Sequence, residues 1–234
     1  MTQMEQATKS IFLMMVLTMG SKFLGFFREV LIAYKFGAGI EIDSFLMASS
    51  ATFLFTYAIS VGLNTTMIPV LSEIEAKEGY KGKVQHTNNI LNITLALSLI
   101  LFVLGWLLAP QIISILAPGF TWQQYNLTVF LMRCTLPTVL LSGAISIFRA
   151  YLQSEMMFTE TALAQYPVNF VFIAYLLFFA GDFGIVGLAI ASVLGIVGQF
   201  LVQLPSISKS GFTYEFSFDL KEKYVNRILI LTGP

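Results

Sequence analysis

Long uncharged runs alternate with short clusters of charge along this chain, and the gaps between charges give the elements. Ser44 to Ser72 is 29 residues without a charge, Thr161 to Gly181 is 21, and Phe183 to Ser208 is 26. Each run suits one membrane-spanning helix, which needs roughly 20 mostly apolar residues to cross about 30 Å of hydrocarbon. An unpaired charge at mid-membrane costs roughly 2.5 to 3.5 kcal/mol on insertion scales, so charges mark boundaries. Thr87 to Met132 is 46 uncharged residues, about 69 Å as a helix at roughly 1.5 Å per residue and too long for one crossing. Pro110 and the run Ala117-Pro118-Gly119-Phe120 supply the breakers, predicting spans at about 88–114 and 123–150 with Arg133 inside the second. The first apolar stretch, Ser10 to Phe36, contains Lys22, Arg28 and Glu29. The pattern predicts an all-α polytopic transmembrane helix bundle with six complete spans by Ser208.

Beyond Lys209 a polar stretch with Glu215, Asp219, Lys221, Glu222 and Lys223 leads into Ile228-Leu229-Ile230-Leu231, the start of a seventh span. Two parts are expected: a six-helix transmembrane lobe over 1–208, and over 209–234 a cytoplasmic linker with the truncated seventh span. The plain reading is a piece of a longer transporter-like protein.

Composition agrees: 56% of the residues are hydrophobic and 11% charged, against about 25% charged in soluble domains. Thirteen Lys plus Arg balance thirteen Asp plus Glu, so the basic excess of a nucleic-acid-binding protein is missing. A single cysteine, Cys134, cannot form an internal disulfide, and a single histidine, His86, offers no Cys/His metal site. No cofactor or metal is expected. Lys9 precedes an apolar run from Ile11 to Met19, but no A-x-A-like cleavage site follows, which argues against a secretory signal. Lys9, Lys77, Lys81, Lys83, Arg149, Lys209, Lys221, Lys223 and Arg227 fall on one side of the predicted spans and Lys35 on the other. The positive-inside rule then puts the N-terminus in the cytoplasm.

Intramembrane charges are the candidate chemistry. Lys22 sits about a dozen residues from either end of the first span, too deep to snorkel, and needs a polar surrounding inside the bundle. Arg28 beside Glu29 reads either as an interface anchor or as a cavity cation, and Asp43 either as a helix N-terminal acid or as a site residue. At about 100° per residue, Lys22 and Arg28 point roughly 120° apart, so a shared site needs a kinked first helix; Gly20 and Gly25 permit a bend or a close helix contact. Two cations in a water-filled pocket suit an anionic head group such as a diphosphate, with Arg133 a third candidate. Trp106 and Trp122 read as interface anchors, and Asn64, Thr65, Thr66, Asn92 and Asn169 as interhelical hydrogen-bonding groups. Cys134 reads as a packing residue and His86 as solvated. No nucleophile–base pair, phosphate loop or paired catalytic carboxylates appear, which disfavours an enzyme.

The stretch SKFLGFFREVLIAYKFGAGIEIDSFLMA, Ser21 to Ala48, resembles the opening signature of the MurJ/MviN lipid II flippases of the MOP exporter superfamily. Leu24-Gly25-Phe26, Arg28 with Glu29, Phe36-Gly37-Ala38-Gly39 and Asp43 before Phe45 carry the likeness. Ile68-Pro69-Val70-Leu71, Ala117-Pro118-Gly119-Phe120, a basic residue four before Pro137, and Gln203-Leu204-Pro205 continue it in order. The resemblance implies one lobe of a two-lobed flippase of about fourteen spans in the bacterial cytoplasmic membrane. Its partners would be membrane lipid, a lipid-linked diphosphate precursor of the cell wall and the missing C-terminal lobe, with no nucleic acid. Lys22, Arg28 and Asp43 would inherit substrate-binding positions. Three departures stand out: Lys22 replaces the family's usual Arg; Phe55-Thr56-Tyr57-Ala58 replaces a basic pair followed by an acid, with Gly62 retained; and Gln165 replaces a proline, with Pro167 nearby. The missing basic pair favours, as the nearest competitor, an exporter of another lipid-linked oligosaccharide. A non-transporting membrane scaffold is the alternative from a different class.

Overall fold

The computed structural model describes the backbone of residues 3–232 and the side chains of 11–63 and 65–228. Lys9, Asn64 and Leu229 to Leu231, weighed above by their side chains, lie outside the described side chains.

Among the described residues eight helices follow one another: α1 (Gln3–Phe36), α2 (Ile40–Leu116), α3 (Trp122–Thr135), α4 (Pro137–Ser154), α5 (Phe158–Leu163), α6 (Tyr166–Phe178), α7 (Ala180–Lys209) and α8 (Lys223–Thr232). Five stretches among the described residues are long and apolar enough to cross a membrane: Ile11–Phe36, Ile40–Leu116, Trp122–Ser154, Phe158–Phe178 and Ala180–Lys209. The 77-residue α2 is two helices joined at Gly79, whose φ of 73° is a left-handed conformation that glycine adopts without steric cost. The halves fold back on each other, so that Ala58, Ile59 and Gly62 lie near Ile90, Thr94 and Leu97. The third stretch joins α3 and α4 through Leu136 and Pro137, proline being tolerated at the first helical position.

One expected break is absent. Pro110 lies inside α2, which continues to Leu116; the chain turns instead at Ala117 to Thr121, where Thr121 and Gln124 form a reciprocal capping box that starts α3. Pro110 cannot donate to the carbonyl four residues back, that of Trp106. Arg133 supplies the donor, its Nε bonding Trp106 O at 3.3 Å.

With no hydrophobic force between helices in lipid, close packing and interhelical hydrogen bonds hold such a bundle. Gly143 lets α4 settle onto the α2 hairpin: a Cβ there would lie 2.4 Å from Thr94 Cγ2 and 3.1 Å from Ser98 Oγ. Thr52 and Thr135 share a buried hydrogen bond of 2.7 Å, and Ser146 donates to Ser60 at 3.2 Å. α1 packs on α5 and α6. Its backbone is one continuous helix, with no break at Gly20 or Gly25. Gly20 instead admits the Tyr166 hydroxyl, which donates to Leu17 O at 2.8 Å.

The polar hairpin around Gly79 is tied down. Lys83 is fully buried, bonded to Glu75 at 2.8 Å and to Glu155, with its Nζ 5.2 Å from the Tyr151 ring centroid. His86 is clasped rather than solvated, its two ring nitrogens bonding Glu78 and Glu222. The segment after α7 runs extended along α2, held by side-chain amides: Asn88 donates to Thr213 O, Asn92 to Ser217 O and Asn89 to Asp219 O, each at 2.9 Å. Asn92 thus bonds a non-helical segment rather than another helix. Tyr224 donates to Glu78 at 2.7 Å and Arg227 to Glu73 at 2.7 Å, docking α8 on the same hairpin. These contacts hold Glu73 and Glu78 below the ordinary carboxylate value of 4.5, for Glu73 mainly through the hydrogen bond from Lys77 and for Glu78 through those from His86 and Tyr224.

Candidate substrate cavity

Between α1, the first half of α2, α4, α6 and α7 lies a cavity of about 510 Å³. Its wall alternates apolar side chains with hydroxyls: Ser49, Thr52, Thr56 and Ser60 from α2, Thr138, Ser142 and Ser146 from α4, and Ser192 from α7. Several of these hydroxyls donate to carbonyls of their own helix: Thr56 to Phe53 O, Thr138 to Thr135 O, Ser142 to Val139 O and Ser192 to Ala189 O. Their lone pairs remain free, and the donors can turn toward a ligand without leaving the backbone unsatisfied.

Three charged residues line it: Arg28, Glu29 and Arg149. Arg28 is fixed from three directions. Its NH2 and Nε bond Glu29 at 2.6 and 3.2 Å, its NH1 donates to Asn169 Oδ1 at 3.3 Å, and its guanidinium carbon lies 4.9 Å from the Phe172 ring centroid. Asn169 is held in turn, donating to Ser21 O at 3.0 Å and Ser21 Oγ at 3.2 Å. The asparagine thereby acts as the interhelical bridge read from the sequence and also orients the cation. Ser21, Gly25 and Arg28 recur at spacings of four and three, the helical period that puts all three on the face meeting α6. Gly25 lies on this face too, where a Cβ would make an ordinary contact, 3.6 Å from Asn169 Oδ1. A guanidinium carries five N–H groups, so the three bonds leave two for a ligand.

The other expected site residues lie elsewhere. Lys22 is exposed on α1 and does not line the cavity, whereas Arg28 does, as their offset on a continuous helix implies. Asp43 is exposed in the first turn of α2, where its charge complements the helix dipole. Arg133 lies outside the cavity, in the last turn of α3, 5.8 Å from the Trp106 ring centroid and bonded to that residue's carbonyl. The structure therefore joins Arg28 to none of these three.

Arg149 takes a place the sequence reading did not give it. Counted there among the loop cations, it sits within α4, with Nε buried. Among the described residues it has no hydrogen-bond or ion-pair partner. A sequence signal existed: Gly143 to Leu152 is a run of otherwise uncharged, mostly small or apolar positions, with Arg149 its lone charge.

Residues 32–234 match the family described as lipid II flippase MurJ. A probable lipid II flippase MurJ of Buchnera aphidicola subsp. Acyrthosiphon pisum (strain APS) is 30% identical over 224 residues, which are 94% of this chain and 44% of that protein. The lipid II flippase MurJ of Burkholderia cenocepacia is 30% identical over 200 residues, 82% of this chain and 38% of that one. The chain thus spans less than half the length of the curated relatives it matches. Among solved structures, lipid II flippase MurJ in an inward closed conformation superposes with a TM-score of 0.74 at 23% identity, covering 94% of this chain and 46% of that one. A MATE transporter in complex with MaD3S superposes with a TM-score of 0.72 at 18% identity, covering 97% and 52%. These likenesses show the shared helical fold, and the family match over most of the chain shows that this protein, a multi-pass membrane protein, belongs to the lipid II flippase MurJ family.

Proposed function

We propose that this chain forms one lobe of a flippase that moves a lipid-linked cell-wall precursor from the cytoplasmic to the outer leaflet of the bacterial inner membrane. The single observation that carries the reading is the cavity. It places an oriented guanidinium, Arg28, among hydroxyls within an otherwise apolar bundle. A guanidinium offers a two-pronged fork to phosphate oxygens, and hydroxyls accommodate the remaining polar surface of a diphosphate or sugar. α1 packs mainly on α5 and α6, and Phe23, Phe26 and Phe27 are exposed with Lys22. This face supports a reading in which α1 looks toward a second lobe, with alternating access arising as one lobe rocks against the other. Lys22 would then meet the substrate, if at all, across the interface between lobes. The excess of Lys and Arg on the Gly79 side supports a cytoplasmic N-terminus.

A second reading, export of another lipid-linked oligosaccharide, is favoured by Thr56. This residue lines the cavity where the family usually carries one of a basic pair, so a hydroxyl stands for a guanidinium. Rescue of cells depleted of their own lipid II flippase by the full-length parent gene tests the two. Restored growth and cell shape support lipid II transport; failure to rescue at matched membrane abundance favours the second reading.

A further inference from the structure

Among the described residues, Arg149 is a cation on the cavity wall with no partner. Arg28 is neutralised by Glu29, whereas Glu155, the acid nearest Arg149 in sequence, is bonded to Lys83. The cavity lining therefore carries Arg28, Glu29 and Arg149, a net charge of +1 that resides on Arg149. Hydroxyls of Ser60, Ser142 and Ser146 and the amide of Gln199 share this part of the wall. An unpaired, half-buried guanidinium whose Nε is shut off from solvent destabilises an empty site, and such groups in membrane helices face a cavity or a substrate path.

The placement of Arg149 relative to Arg28 follows from the packing on α7. Val168, which precedes the Arg28-bonded Asn169, lies against Gly195, while the ring of Phe148, which precedes Arg149, stacks on Phe200. Gly195 to Phe200 is five residues, about 7.5 Å of helix at roughly 1.5 Å per residue. Two long side chains can bridge that separation from opposite sides of one cavity. Arg149 also lies nearer the polar hairpin than Arg28, since α4 ends at Ser154 beside the Lys83–Glu155 pair.

We infer that Arg149 is an anion-binding residue of this cavity, gripping the diphosphate of a prenyl-linked substrate together with Arg28 and filling the second-cation role that Lys22 is not placed to fill. The inference rests on the reading of the cavity as a lipid-diphosphate site. It also accounts for Thr56: the second guanidinium is contributed by α4 instead of α2.

The test uses the full chain in nanodiscs of zwitterionic lipid, with geranylgeranyl diphosphate as the probe and geranylgeraniol as the uncharged control. The parent binds the diphosphate more tightly than the alcohol. Arg149→Ala and Arg149→Gln weaken diphosphate binding by roughly 10- to 100-fold, the range for a lost charge-assisted hydrogen bond, and leave the alcohol unchanged; Arg149→Lys recovers part. Arg149→Met raises the melting temperature without ligand, because it removes an unpaired charge, whereas loss of a structural arginine would lower it. Parental diphosphate affinity in Arg149→Ala, alongside lost affinity in Arg28→Ala, overturns the inference and leaves the proposed function standing. A lower melting temperature in Arg149→Met with binding intact overturns it likewise. A parent that binds the diphosphate no better than the alcohol overturns both.

Discussion

Arg133 Nε donates to the Trp106 carbonyl at 3.3 Å, the carbonyl whose helical partner would have been the missing N–H of Pro110. A residue that looks like a substrate cation thus repairs a proline-interrupted helix. Its position in the last turn of α3 also suits a positive charge at the negative end of the helix dipole. Arg133→Ala is expected to destabilise the lobe by about 1–3 kcal/mol through the unpaired carbonyl. In a Pro110→Ala background, where the backbone N–H returns, the same change should cost less by about 0.5 kcal/mol or more. Thermal unfolding of the four proteins in detergent measures the coupling, and equal costs in the two backgrounds would refute the repair.

Gly143 is the contact point of α4 with both halves of α2. Gly143→Ala drives a methyl group against Thr94, Ser98 and Ile59, at an expected cost of about 1–3 kcal/mol, typical of overpacking. Gly119 has open space around its Cβ position, so Gly119→Ala is the matched control and should be close to neutral. The melting temperatures of the pair decide the point, and equal shifts would contradict it.

Docking of α8 on the hairpin depends on Glu73 and Glu78 being ionised. Both carboxyls are held below the ordinary 4.5 in the folded protein. Such groups stabilise the fold above that ordinary value, and their contribution is lost as pH falls through the lowered ones. The dock should therefore be unchanged from pH 7 to about 5 and loosen below about 4.5. Nitroxides on Lys81→Cys and Asn226→Cys, in a Cys134→Ser background, report the distance. Glu78→Gln should loosen the dock at neutral pH. A distance independent of pH down to 3 would contradict the electrostatic clasp.

The apolar runs are legible because a span needs length and freedom from charge, and those two properties locate the crossing stretches, while Ala117-Pro118-Gly119-Phe120 marks the turn after Leu116. Charge as a boundary marker failed where a cation has a reason to lie inside. The rule puts Arg149 in a loop because it assumes hydrocarbon around a buried charge, and a polar cavity is visible only when five helices are assembled. Lys83, a loop cation by its sequence, and His86, solvated by its sequence, are tied down for the converse reason. Their partners Glu155 and Glu222 lie 72 and 136 residues away, beyond any local pattern. The 120° offset of Lys22 from Arg28 was legible from helix geometry, but whether α1 bends to cancel it depends on packing. Tyr166 and Asn169 pack against Gly20 and Gly25, and α1 remains unbroken there.

The central claim is that Arg28, held by Asn169 and Glu29, grips the phosphate-bearing head group during transport. Precursor flipping by full-length variants matched for membrane abundance measures it directly. Arg28→Ala should lose transport, consistent with a charge-assisted contact of about 1.5–3 kcal/mol, and Arg28→Lys should recover only part because a single ammonium lacks the two-pronged geometry. Lys22→Arg should be neutral or better. Transport by Arg28→Ala at the parental rate would contradict the account.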